Sequence, residues 1–239
     1  MSGATQGTPR RLVVAIDGPS GSGKSSTSRG VASRLGLAYL DTGAMYRAAT
    51  WLALETGLDT DDTVAVAELV TSASIVSSLD PVNPTILIDG HDVTDAIRDP
   101  EVSAAVSAIA TNLTVRADLV ARQRAIIAEA TGGIVAEGRD ITTVVAPDAP
   151  VRVLLVADPA ARVARREAEL GGRVDTAAVT DQVIRRDRDD STVASFHDAA
   201  PGVVVLDSTH LSLEEVIDAI CALVEVRGSG AQSPQTVLP

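Results

Sequence analysis

An α/β fold with a parallel five-stranded sheet flanked by helices is what this 239-residue sequence predicts, and three observations predict it. Short, nearly all-apolar, β-branched runs alternate with helical stretches, the order that lays helices against a sheet of parallel strands. The first run, residues 12–17, feeds Gly18-Pro19-Ser20-Gly21-Ser22-Gly23-Lys24-Ser25, which fits G-x-x-x-x-G-K-[ST]. Lys24 is the only lysine in the chain, against nineteen arginines, and it fills the lysine position of that motif.

The elements follow in order. After the motif, residues 24–35 carry Val31 and Leu35 at i,i+4, and Gly36 stands where a glycine ends a helix. Residues 37–41 read as a second strand, and Thr42 as the N-cap of a helix running to about Glu55 and closed by Gly57. Residues 59–70 look helical. Residues 75–76 and 85–88 read as short strands, with Asp89-Gly90 as a hairpin turn before 91–93. Such antiparallel pieces are foreign to the alternation. Helical stretches at about 101–110 and 115–130 follow, so residues 65–131 read as an inserted subdomain. Strands at 133–137, 151–156 and 203–207 complete the sheet, and a helix over 211–226 closes it. Residues 159–170 and 179–190 are helical and arginine-dense, joined by Gly171-Gly172, where a lid would sit. The expected division is one domain over 11–227, with its core at about 11–64, 132–170 and 196–227 and the lid at about 171–195. Residues 1–10 and 228–239 are read as disordered.

Composition narrows the function. The net charge of −12 argues against a general binder of nucleic acid or anionic membrane, so any polyphosphate must be held by locally gathered arginines. Aromatics are only 2% of residues, too few for a base-stacking platform. The single cysteine, Cys221, excludes an internal disulfide and a cysteine metal cluster, and its apolar helical setting makes it a core residue. No apolar run reaches membrane-span length and residues 1–11 lack a signal peptide's hydrophobic region, so the reading is a soluble, cytoplasmic protein.

The chemistry sits at strand ends. In the glycine-rich loop, backbone N–H groups turn toward phosphates, Lys24 reaches between them, and the Ser25 hydroxyl binds Mg²⁺. The phosphates of a bound nucleotide are therefore assigned to Gly18, Pro19, Ser20, Gly21, Ser22, Gly23, Lys24, Ser25 and Ser26. Asp41-Thr42-Gly43-Ala44-Met45-Tyr46-Arg47 follows the second strand at the carboxyl edge, where ligands of open α/β sheets bind. Thr42 and Tyr46 share a helix face, and Arg47 can grip a phosphate bidentately; the same letters also fit an ordinary capped helix with a surface arginine. Glu137-Gly138-Arg139-Asp140 ends the third core strand in the same crevice. Arg139 can hold an acceptor phosphate, while Asp140 or Glu137 can accept hydrogen bonds or place Mg²⁺ through water; an ion pair closing a turn is the alternative. Arg186 and Arg188 mix with aspartates in one helix, either as a solvated face or as arginines that neutralise charge on a transferred phosphoryl, with Arg162, Arg165 and Arg166 able to join them.

Together these stretches resemble the bacterial cytidylate kinases of the nucleoside monophosphate kinase family. The resemblance covers most of residues 11–226 and rests on IDGPSGSGKSS (16–26), LDTGAMYR (40–47), IRDPEVSAAVSAIA (97–110), VAEGRDITTVVAPDAPV (135–151), IRRDRDDST (184–192) and VVLDSTHLSLEEVI (204–217). It implies a P-loop kinase that moves the γ-phosphoryl of ATP to CMP or dCMP with Mg²⁺, usually as a monomer. It further implies that Thr42, Tyr46, Arg47, Arg139 and Asp190 hold the acceptor's phosphate and sugar, while Ser107, Arg116 and Asp140 read the base. Cytosine suits that set, because its exocyclic amine donates to a carboxylate while O2 and N3 accept from an arginine fork. Two departures stand out. Where the family usually has a lid arginine after Asp190-Ser191-Thr192, this chain has Val193, so either Arg186 and Arg188 suffice or turnover is reduced. Thr143 follows Thr142 where GRDIG is usual, and Ala146 replaces a usual phenylalanine. Other readings compatible with the glycine-rich loop are a thymidylate- or shikimate-type kinase and a nucleotide-binding regulator without acceptor chemistry.

Overall fold

The computed structural model describes residues 11–170 and 199–228. Five parallel strands form the central sheet: β1 (Val13–Asp17), β2 (Ala38–Asp41), β6 (Ile134–Gly138), β7 (Val151–Val156) and β8 (Val204–Asp207), in the order β2-β6-β1-β7-β8. The expected α/β class and five-stranded parallel sheet are borne out. Successive side chains of β1 point to opposite faces, as strand geometry requires. Val14 and Ile16 pack with Val31 of α1 (Lys24–Leu35) and with Ile217 and Ile220 of the closing helix (Leu213–Gly228). Ala15 faces the other way, toward Met45, Ile109 and Leu119. Cys221 lies in the first of these two cores.

On the second face stand α2 (Thr42–Glu55), α3 (Thr63–Ser72), α4 (Pro100–Thr111) and α5 (Leu113–Glu129). A small antiparallel sheet of β3 (Ile75–Ser77), β4 (Ile86–Ile88) and β5 (His91–Asp92) joins them. Its hairpin turns at Asp89 and Gly90, both with positive φ (48° and 82°), the combination a tight type I′ turn demands. The segment leading into that hairpin covers the exposed edge of β2. Tyr39 N–H donates to Leu79 O at 2.9 Å, and Arg29 of α1 donates to the carbonyls of Pro81 and Val82.

Two expectations need correction. The N-cap of α2 is Asp41 and not Thr42: the carboxylate accepts from Ala44 N at 2.8 Å, while the Thr42 hydroxyl donates away to Glu137 O. An ionised carboxylate is the stronger acceptor for helix N-terminal amides, which explains the one-residue shift. The helix expected over 59–70 begins only at Thr63, because Asp62 caps it by accepting from Ala65 N. After β6 the chain makes a π-type turn (Ile141–Val145), closed by Ala146 N donating to Ile141 O. Helix α6 (Pro159–Leu170) matches its expected range. The lid at 171–195 and its helix over 179–190 lie outside the described residues, with Arg186, Arg188, Asp190 and Val193, as do residues 1–10 and 229–239.

Candidate functional site

The carboxyl ends of β1, β2 and β6 meet at one crevice, and each contributes a loop to it. From β1 comes the glycine-rich loop. Gly21 there has φ 75°, and a Cβ on it would lie 2.4 Å from the Arg162 carbonyl of α6, so no side chain fits. Gly23, in the left-handed region, opens α1 without a capping side chain, which leaves the amides of that helix terminus aimed at the crevice. Lys24 Nζ donates to Pro19 O at 2.7 Å.

Helix α6 braces the loop from outside. Arg162 donates to Ser20 O at 3.1 Å, and Arg165 reaches Ser22 O at 3.4 Å while also donating to the hydroxyl and carbonyl of Ser208. A peptide's C=O and the N–H of the next residue point in opposite directions. Holding the Ser20 and Ser22 carbonyls outward therefore turns the Gly21 and Gly23 amides inward, toward the crevice. The sequence reading grouped Arg162 and Arg165 with the lid arginines, but in the described structure both engage the loop carbonyls.

From β2 come Asp41, Thr42, Tyr46 and Arg47. Arg47 is paired with Asp41 at 2.9 Å, both partly buried, and Thr42 and Tyr46 are buried on the inner face of α2. From β6 come Glu137, Gly138, Arg139 and Asp140. Gly138 passes so close to α2 that a Cβ would sit 2.5 Å from the Thr42 hydroxyl. Arg139 donates to Gly18 O, tying the β6 loop to the glycine-rich loop. A 120 Å³ cavity is lined by Lys24 and Ser25 together with Arg47, Arg139 and Arg166, and by Asp41 and Glu137. A larger cavity of 390 Å³ adjoins it, sharing Ser25, Asp41 and Arg47 and adding Ser26.

Away from these cavities, Arg116 on the first turn of α5 pairs with the Asp140 carboxylate. Asn112 places that turn: its side chain accepts from Thr114 N and Val115 N and donates to Thr63 O of α3. Ser107 is half-buried on the preceding helix α4.

Electrostatics divide the carboxyls. Burial, reinforced by the nearby Asp41 charge, pushes Glu137 up to about 7, against the opposing pull of Lys24 and hydrogen bonds from Tyr39 and Ser25. Burial also raises Asp17, although hydrogen bonds from Thr142 and Ile141 and the charge of Lys24 pull it back. The sequence reading assigned no role to Asp17 or Tyr39. Asp17 accepts from Ile141 N, Thr142 N and the Thr142 hydroxyl, and so anchors the turn that follows Asp140. A signal for it existed, since a carboxylate ending a buried apolar strand is costly unless something bonds it. Tyr39 gave none, because an aromatic in a strand reads as core.

As for a metal, the Ser25 hydroxyl and Glu137 carboxyl form an all-oxygen set hydrogen-bonded to each other, the hard donors that suit Mg²⁺ completed by phosphate and water.

Comparison with known proteins bears on this arrangement. The family model described as cytidylate kinase matches residues 14–226. A cytidylate kinase from Cutibacterium acnes is 59% identical over 219 residues, covering 90% of this chain and 96% of that protein. One from Streptomyces griseus is 47% identical over 226 residues, covering 94% and 97% respectively. A solved shikimate kinase from Acinetobacter baumannii aligns with a TM-score of 0.43 at 13% identity, over 94% of this chain and 97% of that one. With the family match running from β1 into the closing helix, and 59% identity to a cytidylate kinase over 90% of its length, this chain belongs to the cytidylate kinase family.

Proposed function

We propose that this chain transfers the γ-phosphoryl of ATP to the phosphate of CMP or dCMP, giving CDP or dCDP and ADP. The observation that carries this reading is the 120 Å³ cavity, which gathers Lys24 and Ser25 with Arg47 and Arg139. A phosphoryl group passing between two nucleotides needs cations on both sides and space for little else.

In the proposed step, an oxygen of the acceptor phosphate attacks the γ-phosphorus in line. The bond to the β,γ-bridging oxygen breaks, and its electron pair leaves on ADP. The loop amides from Gly18 to Ser26 and the Lys24 ammonium hold the donor. Arg47 exchanges its partner Asp41 for the acceptor phosphate, and Arg139 exchanges Gly18 O. Thr42, Tyr46 and Asp190 hold the remaining phosphate and sugar oxygens. Arg186 and Arg188 close over the transferred group as lid arginines. Ser25 would hold Mg²⁺ through its hydroxyl, with Glu137 reaching it through water; when bound, the ion neutralises charge on the donor phosphates. A phosphate nucleophile is already anionic, so no general base is assigned.

Base selection belongs to Ser107, Arg116 and Asp140. The Arg116–Asp140 pair presents a donor fork beside an acceptor, complementary to the O2/N3 edge and exocyclic amine of cytosine. A monomer in the cytoplasm completes the reading, consistent with a buried, lone cysteine that needs no oxidising compartment. The test is CMP-dependent ADP release from ATP by wild type and Lys24→Met. Release that falls at least about 100-fold in the variant, with the circular dichroism spectrum unchanged, supports the reading. Retained turnover contradicts it.

A further inference from the structure

Tyr39 is a tyrosine where packing alone calls for a phenylalanine. It sits on β2 with 2% of its surface exposed, among Val31, Val135 and Ile217 on the α1 face of the sheet. A buried hydroxyl is a liability unless bonded, and this one donates to Glu137 Oε1, itself 3% exposed, on the neighbouring strand β6. The strand register makes the contact diagonal: Tyr39 lies opposite Val135, and Asp41 lies opposite Glu137. All four side chains therefore project from one face, and the long phenol spans the two-residue step. Burial, with the charges of Glu137 and Asp41 beside it, raises the phenol's pKa far above the ordinary range, so Tyr39 is a donor at every working pH.

Glu137 has several possible partners at close quarters. The Ser25 hydroxyl is hydrogen-bonded to it, the Lys24 charge acts on it, and Arg47 and Arg139 line the same cavity. A carboxyl free to rotate there would compete for the cations that the phosphates need.

We propose that Tyr39 is a positioning residue of the donor site, whose hydroxyl fixes the Glu137 carboxyl so that it serves Ser25 and the divalent cation instead of pairing with the cavity arginines. The proposal rests on the reading of Lys24, Ser25 and Glu137 as the donor side, and not on the identity of the acceptor.

Calorimetric binding of ADP with and without Mg²⁺, to wild type, Tyr39→Phe, Glu137→Gln and the double variant, tests it without any turnover. The expected result is that Mg²⁺ tightens ADP binding to wild type, that Tyr39→Phe reduces this enhancement about fivefold to tenfold, and that metal-free ADP affinity is unchanged. The double variant should be no worse than Glu137→Gln, because Tyr39 acts through that carboxyl. In assays with CMP, the Mg²⁺ concentration for half-maximal rate should rise while the KM for CMP stays within twofold. Equal enhancement in wild type and Tyr39→Phe overturns the proposal, as does a parallel loss of metal-free ADP affinity, an additive double variant, or an enhancement that survives Glu137→Gln. Failure of CMP to act as acceptor leaves the ADP measurements intact, so the two readings fail separately.

Discussion

Arg116, on the first turn of α5, donates to the Asp140 carboxylate that follows β6, joining residues 24 positions apart in sequence. The side chains retain only 14% and 7% of their exposure, so the pair is largely withdrawn from water. Removing one partner of a buried pair costs roughly 3 kcal/mol, because the remaining charge loses its ion-pair partner while staying largely withdrawn from water. Arg116→Met should therefore lower the unfolding free energy of the nucleotide-free protein by about that amount in urea titrations. A loss under about 1 kcal/mol would mean that Asp140 is compensated elsewhere.

Asp17 and Thr142 link β1 to the turn that follows β6. Thr142 supplies both a backbone and a side-chain donor to the buried carboxylate, at 2.8 and 2.6 Å. The hydroxyl stabilises the ionised form of Asp17, so its effect is present where Asp17 is charged and disappears when the group is protonated. Thr142→Ala should cost roughly 1–2 kcal/mol at a pH where Asp17 is ionised, with the deficit shrinking as pH falls through the Asp17 range. A deficit independent of pH would assign the loss to packing.

Arg162 and Arg165 hold the outward carbonyls of the glycine-rich loop. Arg162→Met should weaken ADP binding about fivefold to tenfold, equivalent to roughly 1 kcal/mol, without changing CMP affinity. An unchanged ADP affinity would show that the loop keeps its shape unaided.

Glu137 gives the metal-free protein a defined pH response. Its folded value of about 7 stands above the ordinary 4.5, so the folded state binds a proton that the unfolded chain has released. The stabilisation is fully present below pH 4.5 and is lost as pH rises through about 7. Relative to Glu137→Gln, wild type should lose on the order of 2–3 kcal/mol between these limits in metal-free unfolding measurements. A flat difference would place the carboxyl in a more polar setting than its burial indicates.

The sheet was legible because its strands are short, apolar-dominated runs, and Asp17, Asp41 and Glu137 mark three carboxyl edges directly. The crevice was legible for the same reason, since the loops after those strands carry the informative letters. Lateral relations were not. Nothing in sequence spacing says that Arg162 will meet Ser20, 142 positions away, or that the Tyr39 hydroxyl will find Glu137 across a strand pair. Such contacts depend on strand order and helix placement, which local patterns do not encode. The helix cap slipped by one residue because Asp and Thr are both good caps, and only tertiary structure shows the Thr42 hydroxyl engaged with Glu137 O.

The central claim, that Arg116 and Asp140 select a cytosine nucleotide for phosphorylation, is tested most directly by kcat/KM for CMP and for UMP with ATP, in wild type and Asp140→Asn. Wild type should favour CMP by at least about 100-fold, because uracil sets a carbonyl oxygen against the Asp140 carboxylate. Asp140→Asn should lose most of that ratio, mainly by lowering the value for CMP. A wild-type ratio near one, or a ratio untouched by Asp140→Asn, would contradict the account.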